Sequence, residues 1–117
     1  MVTQTTPTAV SRILEDLRTE GGLQGKDVAN IVDVSPATVS RWASGKATPD
    51  IHRQTVIANL AYIARRLADF YEPAETRLWL NARHPLLENQ RPIDLIRNGD
   101  PEPVLALIEQ LDSGVYL

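Results

Sequence analysis

Val34-Ser35-Pro36-Ala37-Thr38-Val39-Ser40-Arg41-Trp42-Ala43-Ser44-Gly45 is the stretch on which the fold turns. Ser35 has the side chain of an N-cap, an oxygen able to accept from an N–H of the first helical turn. Pro36 falls at the first helical position, where its missing N–H costs nothing. Gly45 supplies a left-handed stop. A helix is therefore expected over residues 36–44, with Val39 and Trp42 as apolar anchors on its inner face. Trp42 is read as a core residue and not as a platform for stacking bases.

Upstream lies a second short helical pattern, over residues 25–32, and only Asp33 and Val34 separate the two. The pair must turn sharply. A helix-turn-helix needs a small residue where its helices cross, apolar anchors on their inner faces, and a tight turn that tolerates left-handed backbone. Ala29 is the small residue, Val28, Val32, Val34, Val39 and Trp42 are the anchors, and Asp33 takes the turn. Glycine is commoner there, but aspartate tolerates the left-handed region.

Beyond this core the remaining patterns are also helical. Residues 8–20 carry Val10, Ile13, Leu14 and Leu17 on one face and end at Gly21-Gly22. From the N-cap candidate Asp50 a long helix is expected to reach Tyr71. Its stripe of Val56, Leu60, Ile63, Leu67 and Phe70, widened by Ile57, Ala61, Ala64 and Ala68, makes it the central buried element. Pro73 breaks the chain, and shorter helices follow at 73–80, 92–97 and 103–111, the last capped by Gly114. No stretch alternates apolar and polar residues between turn signals, so the class is all-α.

Composition narrows the function. A chain of 117 residues suits one compact domain, or a small module plus an appended half-module sharing its core. With no cysteine, disulfides, thiolate metal sites and cysteine nucleophiles are excluded, and a reducing cytoplasm is the expected location. The polar, Thr-rich start lacks the pattern of an export leader, and no apolar run is long enough for a membrane span. The net charge of −3 conceals an asymmetry: residues 1–71 hold 8 Lys/Arg against 7 Asp/Glu (+1), and residues 72–117 hold 4 against 8 (−4). A slightly basic front and an acidic rear suit two different partners. His52 and His84 stand far apart, the acid pairs Glu15/Asp16 and Glu72/Glu75 read as solvated surface charge, and no phosphate loop, metal motif or nucleophile elbow is present. The sequence therefore predicts a non-catalytic protein with no cofactor and no metal site.

The stretch 34–45 resembles the recognition helix of the Xre family of phage-repressor-like regulators. That resemblance implies a helix lying in the major groove, with Ala37 and Arg41 toward the bases and Pro36 shaping the approach. Arg41 would pair guanine bidentately, and Ser35, Thr38, Ser40 and Lys46 would hold phosphates. The plainer reading is a helical hairpin whose Arg and Ser side chains face water.

Downstream, Leu78-Trp79-Leu80, Pro85-Leu86-Leu87, Arg91-Pro92-Ile93-Asp94-Leu95-Ile96, Asn98-Gly99, Val104-Leu105-Ala106-Leu107-Ile108 and Ser113-Gly114-Val115-Tyr116-Leu117 together resemble the toxin-binding domain of the Xre/MbcA/ParS antitoxin family. Arg91 and Asp94 are read as bonding each other or nearby backbone. Physics alone leaves open whether the apolar tail folds back onto the last helix or docks on a partner. The resemblance selects the second, with Gly114, Val115, Tyr116 and Leu117 inserted into the active-site cleft of a RES-domain toxin that degrades NAD. It also implies a helix-turn-helix domain over 8–71, a toxin-binding domain over 72–117, operator DNA as second partner, and a homodimer or a hetero-oligomer with toxin. The rival is a simple transcription regulator whose C-terminal half dimerises it or senses a ligand.

Overall fold

A computed structural model describes residues 8–114, and those residues form the expected all-helical fold, with no strand among them. The order is α1 (Ala9–Gly21), α2 (Gly25–Val32), α3 (Pro36–Ala43), α4 (Ile51–Leu67), α5 (Pro73–Asn81), a 3-10 turn (Pro85–Leu87), α6 (Pro92–Arg97) and α7 (Glu102–Asp112). Local chemistry accounts for most of the starts. The side chains of Thr8, Ser35 and Asp50 accept from the N–H groups of Ser11, Thr38 and Arg53 at 3.0, 3.1 and 3.1 Å. Prolines open α3, α5 and α6, where no N–H is needed.

The turn between α2 and α3 forms as the sequence requires. Asp33 is left-handed at φ 59° and ψ 56°, and the Val34 N–H closes the end of α2 on the Ala29 carbonyl at 3.0 Å. Gly45, at φ 78°, ends α3 in the same manner, with the Lys46 N–H donating to the Arg41 carbonyl at 2.9 Å.

One core runs through the whole described chain. Leu17 of α1, Val28 and Ile31 of α2, and Val39 and Trp42 of α3 are buried with Leu60, Ile63 and Leu67 of α4. Leu80, Ile96, Val104 and Ile108 of the later helices join the same cluster. α4 is its axis, packing against α1, α2, α6 and α7. Each fully buried Leu or Ile contributes about 1.5–3 kcal/mol, so α5–α7 are part of what holds the helix-turn-helix folded. Leu60 of α4 and Leu107 of α7 are both buried within the chain itself.

Two details depart from expectation. α4 stops at Leu67 instead of reaching Tyr71, and Phe70 is 39% exposed where the periodicity puts it in the core. The cause lies downstream: Glu72 precedes a proline, which disfavours helical backbone, and at ψ 161° it begins the next helix as its N-cap. The chain must leave α4 before that point, and the Asp69 and Phe70 N–H groups turn back to Arg66 and Leu67 at 3.3 and 2.9 Å. The 3-10 turn is the other, burying Leu87 while Leu86 stays exposed.

Gly22 joins the two halves. It ends α1 at φ 63°, and a Cβ placed there would lie 2.7 Å from the Pro73 carbonyl oxygen at the start of α5. Only glycine fits both demands.

Candidate functional site

Helical spacing divides α3 cleanly. Val39 and Trp42 point inward at 2% and 4% exposure, while Pro36, Ala37, Ser40 and Arg41 are exposed, as are Ser35 before the helix and Lys46 after it. Thr38 is half-buried. Pro36 and Ser40, and Ala37 and Arg41, are each four apart, so these four side chains share one face. The structure thus brings Pro36, Ala37, Ser40 and Arg41 of the set expected to meet DNA onto one face, with Ser35 at the cap before it and Lys46 just beyond the helix.

Their bonding differs. The Ser35 oxygen caps the Thr38 N–H and lies 2.9 Å from the Thr38 hydroxyl, so one of the two hydroxyls donates to the other and only one O–H is left to donate outward. Ser40, Arg41 and Lys46 make no side-chain hydrogen bond or ion pair among the described residues. A guanidinium with all five donors facing water, on a short helix capped at both ends, can give two parallel bonds to a base edge or a phosphate.

An open groove of about 390 Å³ runs between α1, the first turn of α2, and α3, lined in part by Arg18, Lys26, Pro36 and Ser40. Lys26 is exposed and without a side-chain partner among the described residues. Sequence reasoning passed over it because nothing local marks it; only packing α1 and α3 beside α2 brings it to the groove shared with Ser40.

Arg77 and Arg91, by contrast, bond carboxylates of the chain itself. Arg77 of α5 grips Asp27 of α2 with two bonds, at 2.5 and 2.9 Å, and also donates to the Gly22 carbonyl at 3.3 Å. This guanidinium holds the Asp27 carboxyl below the usual carboxylate range against the opposing effect of burial, and the same carboxylate accepts from the Gln24 N–H at 2.8 Å. Arg91 donates twice to Asp94, both at 2.8 Å, one of the two arrangements expected of them, and keeps the Asp94 carboxyl low in the same way.

At the end of the described chain, Gly114 follows α7 at φ 76° with its N–H on the Leu111 carbonyl at 3.2 Å. Val115, Tyr116 and Leu117, the rest of the expected toxin-binding segment, lie outside the described residues.

The helix-turn-helix family HTH_3 matches residues 14–59, from within α1 to within α4. The mycobacterial cidal antitoxin MbcA of Mycobacterium tuberculosis is 36% identical over 96 residues, 82% of this chain and 85% of the relative. The chain belongs to the MbcA antitoxin family. A second member, the probable mycobacterial cidal antitoxin Rv3188 of M. tuberculosis, is 33% identical over 92% of this chain and 90% of its own length. The fold agrees: a chain in the crystal structure of the M. tuberculosis MbcT–MbcA toxin–antitoxin complex superposes with a TM-score of 0.82 at 32% identity, covering 94% of this chain and 99% of that one. These MbcA-family relatives are antitoxins, and the family's helix-turn-helix is the one built here by α2 and α3. Among the described residues no cluster of three or more His, Cys, Asp or Glu is placed to hold a metal, and no helix is long and apolar enough to cross a membrane.

Proposed function

We propose that the chain neutralises a protein toxin encoded beside it, acting in the cytoplasm as the antitoxin of a type II pair. The toxin is of the RES type and degrades NAD. Residues 72–117 carry the toxin contact, with Gly114, Val115, Tyr116 and Leu117 entering its active-site cleft and obstructing substrate. Residues 8–71 carry the helix-turn-helix, which binds the operator of the pair and represses it, as a two-fold dimer on a pseudo-palindromic site. What carries this reading is the membership of nearly the whole chain in an antitoxin family. The uncommitted donors of Ser40, Arg41 and Lys46 support the DNA-binding half of the proposal, and the resemblance of the C-terminal series supports the toxin-binding half.

The test is co-expression in bacteria with the neighbouring protein, following growth and cellular NAD, for the full chain and for a version ending at Ser113. The expected outcome is rescue of both by the full chain and loss of rescue on truncation, with the truncated protein still helical. Rescue that survives truncation removes the tail from the mechanism. A neighbour that is harmless alone favours a simple regulator.

A further inference from the structure

Arg77 of α5 and Arg91 and Arg97 at the two ends of α6 converge with Asn30 of α2 and Asn81 of α5 on a small polar cleft of about 60 Å³. Two carboxylates answer part of this charge. Asp27 takes Arg77 through both oxygens, and Asp94 takes Arg91 and lies 3.7 Å from the Arg97 Nη1. Three guanidiniums against two carboxylates leave one positive charge uncompensated.

Donors are also left over. Arg77 uses Nη1 and Nη2 on Asp27 and the Gly22 carbonyl, which leaves its Nε–H. Arg91 uses Nε and Nη2, which leaves Nη1. Arg97 places Nε on the Ile31 carbonyl at 3.0 Å and has Nη2 to spare. The Asn30 side chain is exposed and makes no hydrogen bond among the described residues.

The geometry points to a binding site for a tetrahedral phosphate-type oxyanion, either inorganic phosphate or the phosphoryl end of a small monoester, held by Arg77, Arg91, Arg97 and Asn30. A planar carboxylate is satisfied by one guanidinium fork, whereas cations approaching from three points on two helices suit an ion with oxygens in several directions. The cleft encloses about the volume of two waters, room for a phosphoryl group but well below the roughly 300 Å³ at which cofactor pockets begin, so the rest of a monoester would lie outside it. The ion would bridge α2 to α5 and α6, screening the arginines from one another and tightening the join between the two halves.

Thermal unfolding of the full chain tests this, with inorganic phosphate, glycerol phosphate, acetate and chloride compared at equal ionic strength. Inorganic phosphate is expected to raise the melting temperature by a few degrees at about ten times its Kd, and acetate and chloride are not. A matching rise with glycerol phosphate supports a monoester as ligand, and a rise with inorganic phosphate alone supports the free ion. Asn30→Asp places a carboxylate in the cleft at an exposed helical position, so it is expected to keep or raise the basal melting temperature and abolish the phosphate response. Equal shifts with phosphate and chloride, an acetate shift as large as that of phosphate, or a phosphate response intact in Asn30→Asp overturns the assignment.

Discussion

On the outer face of α3, Arg41 and nearby Lys46 stand exposed with no side-chain partner among the described residues. At the seam where α2 meets α5 and α6, Arg77, Arg91 and Arg97 are each bonded to a carboxylate or a carbonyl of the chain itself. The residue type is nearly the same in both places, and the difference lies in where the donors go. A cation bonded to a carboxylate or carbonyl of its own chain contributes to folding, and its loss registers in a melting curve. A cation with no partner in its own chain contributes little to folding and registers in binding. Substitutions in the two regions are therefore to be measured both ways, by thermal unfolding and by affinity for duplex DNA from the region upstream of the protein's own gene.

The largest effect is expected at the seam. Gly22→Ala adds a side chain at φ 63° and forces its Cβ against the Pro73 carbonyl oxygen. Left-handed backbone costs a residue with a Cβ about 1–2 kcal/mol, and the clash adds to it, for a total of about 3 kcal/mol. A fall in melting temperature on the order of 10 °C or more is expected. DNA affinity measured well below the new transition should be unchanged. An unaltered melting temperature would mean that α5 does not brace the helix-turn-helix, and the seam would lose its structural role.

Arg41→Ala is the opposite case. Its melting temperature should match that of the parent, because the side chain is exposed and makes no hydrogen bond or ion pair among the described residues. DNA affinity should fall by about 1–3 kcal/mol, roughly ten-fold to a hundred-fold, with discrimination relaxed at the base pair it reads. If affinity for the upstream duplex does not move, α3 is not the reading helix.

The same contrast explains what could be read from the sequence. Ser35, Pro36, Asp33 and Gly45 act within four residues of themselves, so caps, turn and inward face of α2–α3 were all legible, and the Arg91–Asp94 bond, at three apart, was one of the two arrangements the sequence offered for that pair. Arg77 and Asp27 are 50 residues apart, and no local pattern announces their bond. Phe70 continues a helical stripe perfectly well in isolation; it is tertiary context and the approach to Pro73 that turn it outward. Lys26 is likewise silent until α1 and α3 pack beside it. Local chemistry is written in adjacent residues, whereas the seam and the groove exist only once the helices have met.

Asp27→Asn probes the seam more gently. It keeps the shape and an acceptor for the Gln24 N–H but removes the charge that Arg77 grips. Because Arg77 is 43% exposed, water screens part of the pair, and a loss of about 1–2 kcal/mol at neutral pH is expected. The sign of the pH dependence follows from the lowered Asp27 value. Its stabilisation is fully present above the unfolded-state value of about 3.9 and is lost as pH falls through the lower folded-state value. The gap in melting temperature between parent and Asp27→Asn should therefore narrow below about pH 4, while Arg41→Ala should track the parent at every pH.

The smallest effect, and the sharpest test of where the boundary lies, belongs to Lys26. It sits on α2, the helix that also carries Asp27 and Asn30 of the seam, yet it lines the groove shared with Pro36 and Ser40. If it belongs with the outer face, Lys26→Ala leaves the melting temperature within the range of an ordinary surface substitution, about 0.5 kcal/mol. DNA affinity then drops a few-fold and to the same extent on every sequence, because a phosphate contact carries no base information. Plotting log affinity against log salt between about 50 and 200 mM should give a slope shallower than that of the parent by about one unit, the signature of one released counterion. Arg41→Ala must differ in kind, by losing discrimination between sequences. A Lys26→Ala protein that melts lower and binds DNA with an unchanged salt slope would move the boundary, assigning the first turn of α2 to the seam and confining the DNA contact to α3 and Lys46.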